Sequence, residues 1–269
     1  MPIHIRFQLT VKPVVVILIL LLTSSPVLMA KPVTDSLVSY YTFDQTSIEG
    51  KKLKDVFGHK HGTIVGSPKT VPGHLAEAME FGGSPDCIEL PQIMKIGADP
   101  VTYEAWFKKK SKAGWQYLVS NKTDFNNNFF RLGFNKDSGQ IRMYTEQDNN
   151  IKKAFTTDDD YADGKWHHVV ATRQADQAKI YVDGTLVKED IAMKEDIGGD
   201  KTNWFLAQNG TNNAAEYLVG TLDEVRIYSR ALTADEVQQN FKSEGLSIYP
   251  MGKVSLTWAI LKASSQTAE

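Results

Sequence analysis

The stretch VTYEAWFKKK, Val101 to Lys110, alternates residue by residue. Val101, Tyr103, Ala105 and Phe107 fall on one face, and Thr102, Glu104, Trp106 and Lys108 on the other. A period of two predicts a strand, and the signal recurs along the chain. LVSYYTF (Leu37 to Phe43), HGTIVG, AEAMEF and CIEL precede it, and WQYLVSNK follows. FFRLGFNKDSGQIRMYTE reads as two runs around the turn NKDSG, and KWHHVVATR with KIYVDGTLV as a second pair, in which Asp183–Gly184 suits a tight hairpin. TNWFLAQ and LVGTLDEVRIYS close the set. Short strands at this spacing, with almost no helical pattern between them, restrict the chain to a sandwich or a barrel.

One short C-terminal helix is signalled. LTADEVQQNFKSEG offers Thr233 as N-cap with Glu236 three residues later, a capping box. Val237 and Phe241 are four apart and meet on one face, and Gly245 is placed to end the helix. The later stretch VSLTWAILKA reads equally as a strand or as one or two helical turns.

The ends are expected to lie outside the domain. MPIHIRFQLTVKP carries Arg6 and Lys12 and no acid, the apolar run Val14 to Leu22 follows, and a small residue, Ala30, ends the segment. Residues 1–30 therefore read as a secretory signal peptide, with an uncleaved anchor as the alternative. Residues 36–242 form one domain and 243–269 a C-terminal tail. Cleavage after Ala30 leaves 239 residues, enough for one all-β domain with a substantial core. Losing Arg6 and Lys12 leaves 28 basic against 32 acidic residues, a balance that argues against nucleic acid as a partner. No membrane insertion is expected after cleavage, and the mature chain is expected to be secreted or held at the cell surface. Cys87 is the only cysteine, so an internal disulfide is excluded.

The segments LVSYYTFDQTSIEGKKLKDVFGHKHGTIVG, AMEFGGSPDCIELP, VTYEAWFK, GKWHHVVATRQADQAKIYVDGTLV and GTLDEVRIYSRALTADEV resemble, in that order, laminin-G-like jelly rolls of the concanavalin A-like lectin/glucanase superfamily. The likeness spans roughly Leu37 to Phe241. It implies an all-β, two-sheet antiparallel jelly-roll sandwich. It also implies an extracellular binding role towards glycans or proteins, often with a structural calcium. It does not name a ligand, because fold does not fix function.

In VGTLDEVRIYS, strict alternation puts Asp223 on the face of Val225 and Ile227, pointing inward. A carboxylate there is costly unless paired or bound to a cation. Asp44 ends the first strand, which the resemblance places beside the last. Two carboxylates meeting there would suit Ca²⁺, with carbonyls near His61 or Gly62 completing the shell. The alternative is that backbone N–H groups satisfy Asp223 without a metal. Asp86, on a Gly/Pro loop, reads as a further calcium ligand or as a turn residue.

A glycan rim is the second candidate. Sugars need amides and carboxylates beside an aromatic face. Glu104 and Trp106 share the less apolar face of their strand. The loops SNKTDFNNNFF and AQNGTNNAAEY supply Asn121, Asn126, Asn128, Asn209 and Asn212, with Trp115 and Trp204 nearby. The alternative is that Trp106 packs under a loop and the asparagines make turns. Asn121 and Asn209 also stand in N-x-T sequons.

Catalysis is expected to be absent. Retaining glycosidases place two carboxyls about 5 Å apart, and no E-x-D-x-x-E stretch is present. A glycoside hydrolase of the same fold is the enzyme alternative. His167 and His168 are adjacent on a strand and point apart, so they are expected to mark the fold rather than to bind one ion.

Overall fold

The computed structural model describes residues 30–94, 100–123, 129–147, 151–191, 202–210 and 213–243. The N-terminal segment to residue 29, the tail from residue 244, Gly245, Asn126, Asn128 and Asn212 lie outside these residues.

The strands are β1 (Leu37–Tyr41), β2 (Ile48–Glu49), β3 (Lys52–Leu53), β4 (Gly62–Val65), β5 (Lys69–Pro72), β6 (Glu77–Gly82), β7 (Cys87–Leu90), β8 (Val101–Lys108), β9 (Gln116–Thr123), β10 (Phe129–Phe134), β11 (Gln140–Gln147), β12 (Ile151–Asp160), β13 (Trp166–Gln174), β14 (Gln177–Val182), β15 (Thr185–Ile191), β16 (Thr202–Leu206) and β17 (Val219–Tyr228). They form two antiparallel sheets. One runs β15-β14-β13-β8-β17-β6-β5, with β1 also paired to β17, and the other runs β12-β11-β10-β9-β16-β7-β4-β3-β2. Alternation left a sandwich or a barrel open; the structure is the two-sheet jelly-roll sandwich that the resemblance implies.

The core lies between the sheets, where Tyr103, Phe107, Phe130, Leu132, Phe134 and Trp204 interdigitate. Tyr103 stacks on Phe130 with ring centroids 4.4 Å apart. Cys87 is buried outside this cluster, on the face of β7 opposite Ile88, and burial pushes its thiol up to about 12. A second apolar cluster sits on the outer face of the first sheet. There helix α1 (Ala234–Phe241) and the segment from Val33 pack Val237, Leu232 and Val33 onto Tyr40, Val170, Tyr181 and Tyr228. Strand β8 is therefore buried on both faces along all but its last residue.

The local signals hold. Thr233 caps α1, with both bonds of the capping box formed. Asp183 and Gly184 close the β14–β15 hairpin with φ of 49° and 75°, the left-handed pair that a tight turn of this kind needs. A Cβ on Gly184 would also meet the Gln238 side chain, so this turn and α1 require each other.

One prediction of side-chain direction is corrected. Asp223 stands opposite Trp106 on β8, and the register slips between Asp223 and Arg226. Glu224 takes φ of 52°, and its N–H donates to Asp223 Oδ1 at 2.8 Å. This bulge adds one residue, so Leu222 and Val225 both enter the core while Asp223 points outward with Trp106.

The ends of the described chain meet. Ala30 bridges to Ser243, the Gln239 side chain donates to Lys31 O at 2.8 Å, and Val33 N donates to Asn240 Oδ1 at 2.7 Å.

Candidate functional site

Glu104 and Trp106 do not face solvent. Glu104 is 0% exposed and Trp106 5%. The expected sugar-facing role of both is corrected: α1 covers their strand face, which makes it interior. Arg226 Nη1 donates to Glu104 Oε1 at 2.6 Å, and Asn240 Nδ2 to Glu104 Oε2 at 2.6 Å. His168 Nε2 lies 3.1 Å from Glu104 Oε1. Burial alone would raise the Glu104 carboxyl, but Arg226 and His168 outweigh it and hold it at about 2. Glu224 takes the other side of the Arg226 guanidinium and accepts from the Tyr40 hydroxyl. Trp106 is stacked between His74, at 3.4 Å between centroids, and Phe241, at 5.6 Å. The network is a fully packed polar layer under a helix.

The neighbouring histidines separate as predicted. His168 is buried in that layer. His167 sits on the other face, with Nδ1 2.9 Å from Asp183 and Nε2 3.1 Å from Asp163.

The carboxylates considered for calcium are only partly brought together. The turn from Gly73 to Glu77 lies between two of them: His74 N and Leu75 N both donate to Asp223 Oδ2 at 3.0 Å, and Glu77 N donates to Asp44 Oδ1 at 3.1 Å. Burial, Glu224 and Asp44 push the Asp223 carboxyl up to about 9, against the three amides it accepts from. In charge, the place fits a cation. In donors, Asp44 and Asp223 would give only two of the six to eight oxygens that calcium takes, because Glu224 is tied to Arg226. Among the described residues no three His, Cys, Asp or Glu side chains form a metal-holding group. Asp86 is a turn residue here, its oxygens accepting from Ser67 N at 2.8 Å and Gly82 N at 3.0 Å. Gly62 lies in β4 opposite Leu53, with Ile88 and Leu90 filling the space beside its Cα.

The asparagine rim is also rearranged. Asn121 is buried and accepts from Phe130 N at 2.7 Å, and Asn209 is 0% exposed, so neither sequon presents its amide. Trp204 is in the core. Asn213 remains exposed, capping the short turn Ala214–Glu216.

What the structure places at the surface instead is a row of alternating cations and rings on the outer face of β9–β11. Arg131 stands opposite Tyr144, and Gly133 lies between Tyr117 and Arg142, so these residues share one face. The Arg142 guanidinium lies 4.6 Å from the rings of both Trp115 and Tyr144. Arg131 lies 5.4 Å from Tyr117 and 5.8 Å from Tyr144. Gly133 leaves a bare floor between them, because a Cβ there would run into the β9 backbone. Trp115, Arg131, Arg142 and Tyr144 are half-buried, and Tyr117, 5% exposed, is buried beneath them. Burial, and to a lesser degree Arg131, lowers the Arg142 pKa from its ordinary value, with Tyr117 and Tyr144 opposing. The row offers ring faces for apolar C–H surfaces and fixed N–H donors for oxygens. Its sequence signal is the shared parity of Arg131 with Gly133 and of Arg142 with Tyr144, which becomes a site only once the hairpin register is known.

Residues 82–238 match the Laminin_G_3 family model, described as concanavalin A-like lectin/glucanases superfamily. The Adhesion G-protein coupled receptor D1 of Homo sapiens is 28% identical over 160 residues, which are 58% of this chain and 17% of that receptor. The chain thus spans about a sixth of the length of this curated relative. Domain 4 of AbnA, a GH43 extracellular arabinanase from Geobacillus stearothermophilus solved in complex with arabinotriose, superposes with a TM-score of 0.59 at 18% identity, over 80% of this chain and 100% of that one. The Trypanosoma rangeli sialidase gives 0.62 at 18% identity, over 80% of this chain and 34% of that one. The binding domain of Paraclostridial Mosquitocidal Protein 1 gives 0.61 at 18% identity, over 77% and 52%. At such identity the likeness to these structures is one of fold.

Proposed function

Because the chain belongs to the Laminin_G_3 family of the concanavalin A-like lectin/glucanases superfamily, we propose that it is an exported, non-catalytic binding module that takes a glycan on the outer face of β9–β11. The observation that carries this reading is the half-buried Trp115–Arg142–Tyr144–Arg131 row, backed by the buried Tyr117. A sugar ring stacks its C–H face on an aromatic ring and gives its hydroxyls to fixed donors nearby, and this row supplies both at one level of a rigid sheet. The exposed Asn213 lies on the loop of Tyr217, whose hydroxyl accepts from Gln208 at 2.5 Å, and Ser120 of β9 donates to Gln208 O at 2.6 Å. A glycan array probed with the purified chain tests the reading. Saturable hits lost on Arg142→Ala and Tyr144→Ala support it, and an array left blank by folded protein sinks it in favour of an extracellular protein ligand.

A non-catalytic role is supported by how the carboxylates are used. Glu104 and Glu224 flank one buried guanidinium rather than an open cleft. A hydrolase acid must touch its substrate. Release of reducing ends from arabinan, β-glucan and sialoside substrates would overturn this part.

A structural Ca²⁺ held by Asp44 and Asp223 is the accompanying reading. The raised Asp223 carboxyl, pushed up by burial and by the nearby Glu224 and Asp44 carboxyls, favours it. Calorimetric titration of the EDTA-treated chain with CaCl₂ tests it, and absence of binding rules it out.

A further inference from the structure

Arg142 is a cation set among rings. Its guanidinium lies over Trp115 and Tyr144, 4.6 Å from the centre of each. Its cross-strand neighbours are Gly133 on β10 and Thr156 on β12, the two positions from which a carboxylate would most readily pair with it. Among the described residues no carboxylate or carbonyl takes its N–H groups. A ring face steadies a cation but offers no lone pair to the plane of the guanidinium, so the N–H donors of this side chain stay unspent.

Those donors can be reached from outside. Arg142 is half-buried, and, unlike Arg226 Nε, none of its nitrogens is closed off without a partner. Gly133 puts no side chain beside it, which leaves the approach open from β10. The charge around it is one-sided. Arg131 stands opposite Tyr144, two residues along β11, so the two guanidiniums are diagonal neighbours of like sign on one face. Burial and then the Arg131 charge lower the Arg142 pKa, and the groups acting the other way are the phenols of Tyr117 and Tyr144. Glu216, the acid that acts on Tyr117, accepts from Asn213 Nδ2 at 3.2 Å.

A neutral hydroxyl would use these donors as water does. An oxyanion does more. It takes two parallel N–H bonds from one guanidinium, and its charge offsets the repulsion between the paired arginines. A guanidinium already steadied by rings gives up little freedom in meeting it. Resting on the reading of this row as a glycan platform, we infer that its ligand is an acidic saccharide, with a carboxylate or a sulfate ester seated on the N–H fork of Arg142 and its sugar ring against the neighbouring aromatic rings. Carboxylate and sulfate share the chemistry that matters, two oxygens spaced to receive the fork.

The test is an array of uronate-containing and sulfated oligosaccharides, each beside its carboxyl-reduced or desulfated counterpart, probed with the full chain. The best pair is then titrated by tryptophan fluorescence. The acidic member is expected to bind about tenfold tighter than its neutral counterpart. Arg142→Gln keeps N–H donors and removes the charge, and it is expected to bring the acidic member down to the affinity of the neutral one. Arg142→Lys keeps the charge and loses the fork, and it is expected to retain a preference of about threefold. Thermal melts establish that each variant is folded, and the Lys variant reads the same loss if the Gln variant is not. The arms separate the source: a preference among uronates alone assigns a carboxylate, and among sulfated members alone an ester. Equal binding of charged and neutral members, or a preference unchanged in Arg142→Gln, overturns the inference and leaves the glycan reading standing. A blank array from folded protein ends both.

Discussion

The Asn240 amide on the C-terminal helix donates to Glu104 Oε2 at 2.6 Å, joining residues 136 positions apart in the chain. The same side chain accepts from Val33 N and donates to the Tyr228 hydroxyl at 2.9 Å. One amide thus holds the helix, the N-terminal segment and two strands together. Asn240→Ala is expected to leave a buried carboxylate oxygen and a buried N–H without these partners and to cost about 2–4 kcal/mol. Glu104→Ala is expected to cost more, about 3–5 kcal/mol, because it leaves the Arg226 guanidinium with one carboxylate instead of two. Urea unfolding followed by tryptophan fluorescence measures both. Losses under 1 kcal/mol would show that the layer beneath α1 is far more tolerant than its packing implies.

Two histidines are expected to titrate in opposite directions. Asp183, with Asp163 beside it, raises His167 against the opposing effect of burial, whereas burial, with His168 and Arg226, lowers His74 to about 4. A raised group contributes stability that is complete below its unfolded pKa and lost as pH rises through the folded one. His167 therefore stabilises the fold below about pH 6.5 and loses that contribution above it. A lowered histidine behaves the other way: the His74 contribution is present above about pH 6.5 and is lost as pH falls towards 4. An NMR titration of the imidazole protons should separate the two signals, and His167→Gln should flatten the decline in stability on the alkaline side.

Arg142→Ala and Tyr144→Ala are each expected to weaken glycan binding about tenfold while costing little stability, since both side chains are half-buried on an outer sheet face. Trp106→Ala should do the reverse. It removes a ring stacked between His74 and Phe241 and should cost about 3–5 kcal/mol, leaving the affinity of whatever remains folded unchanged. Parallel melts and array titrations distinguish the two classes.

Calcium at Asp44 and Asp223 is expected to raise the melting temperature in a concentration-dependent way, by mass action on the folded state. EDTA should reverse the gain, and Asp223→Asn should abolish it. A melt indifferent to both calcium and EDTA leaves the three amides on Asp223 as its whole environment.

Period-two alternation was enough to find the strands, the paired hairpins and the divergence of His167 from His168, and the family resemblance then chose a two-sheet sandwich over a barrel. Thr233 and Glu236 were enough to find the helix start, because a capping box is a local device. What a strand's polar face meets is not local. Glu104 and Trp106 look like a surface because nothing in VTYEAWFKKK says that a helix some 130 residues later will lie on them. The Asp223 direction was misread for a different reason. The bulge places a non-glycine residue, Glu224, at positive φ, and no glycine or asparagine marks the spot. Lys109 sits in the lysine run that ends VTYEAWFKKK, and only the pairing of β9 with β10 puts Gln116 and Phe134 around its amine. Of the arginine–aromatic row, only Trp115 was singled out in the sequence, because which strands stand side by side is set by the hairpin register and not by any one strand.

The bridge from Ala30 to Ser243 means that the chain enters and leaves the sandwich through one doorway. A fold with neighbouring ends behaves as a cassette. Further polypeptide attached at either end departs from the same corner, so the sandwich can be spliced into a loop of another protein, or carried in tandem, without stretching the host. The outer face of β9–β11 belongs to the sheet that the helix does not cover. A carrier tethered at that doorway would hold the arginine–aromatic row outward, away from whatever it is fastened to.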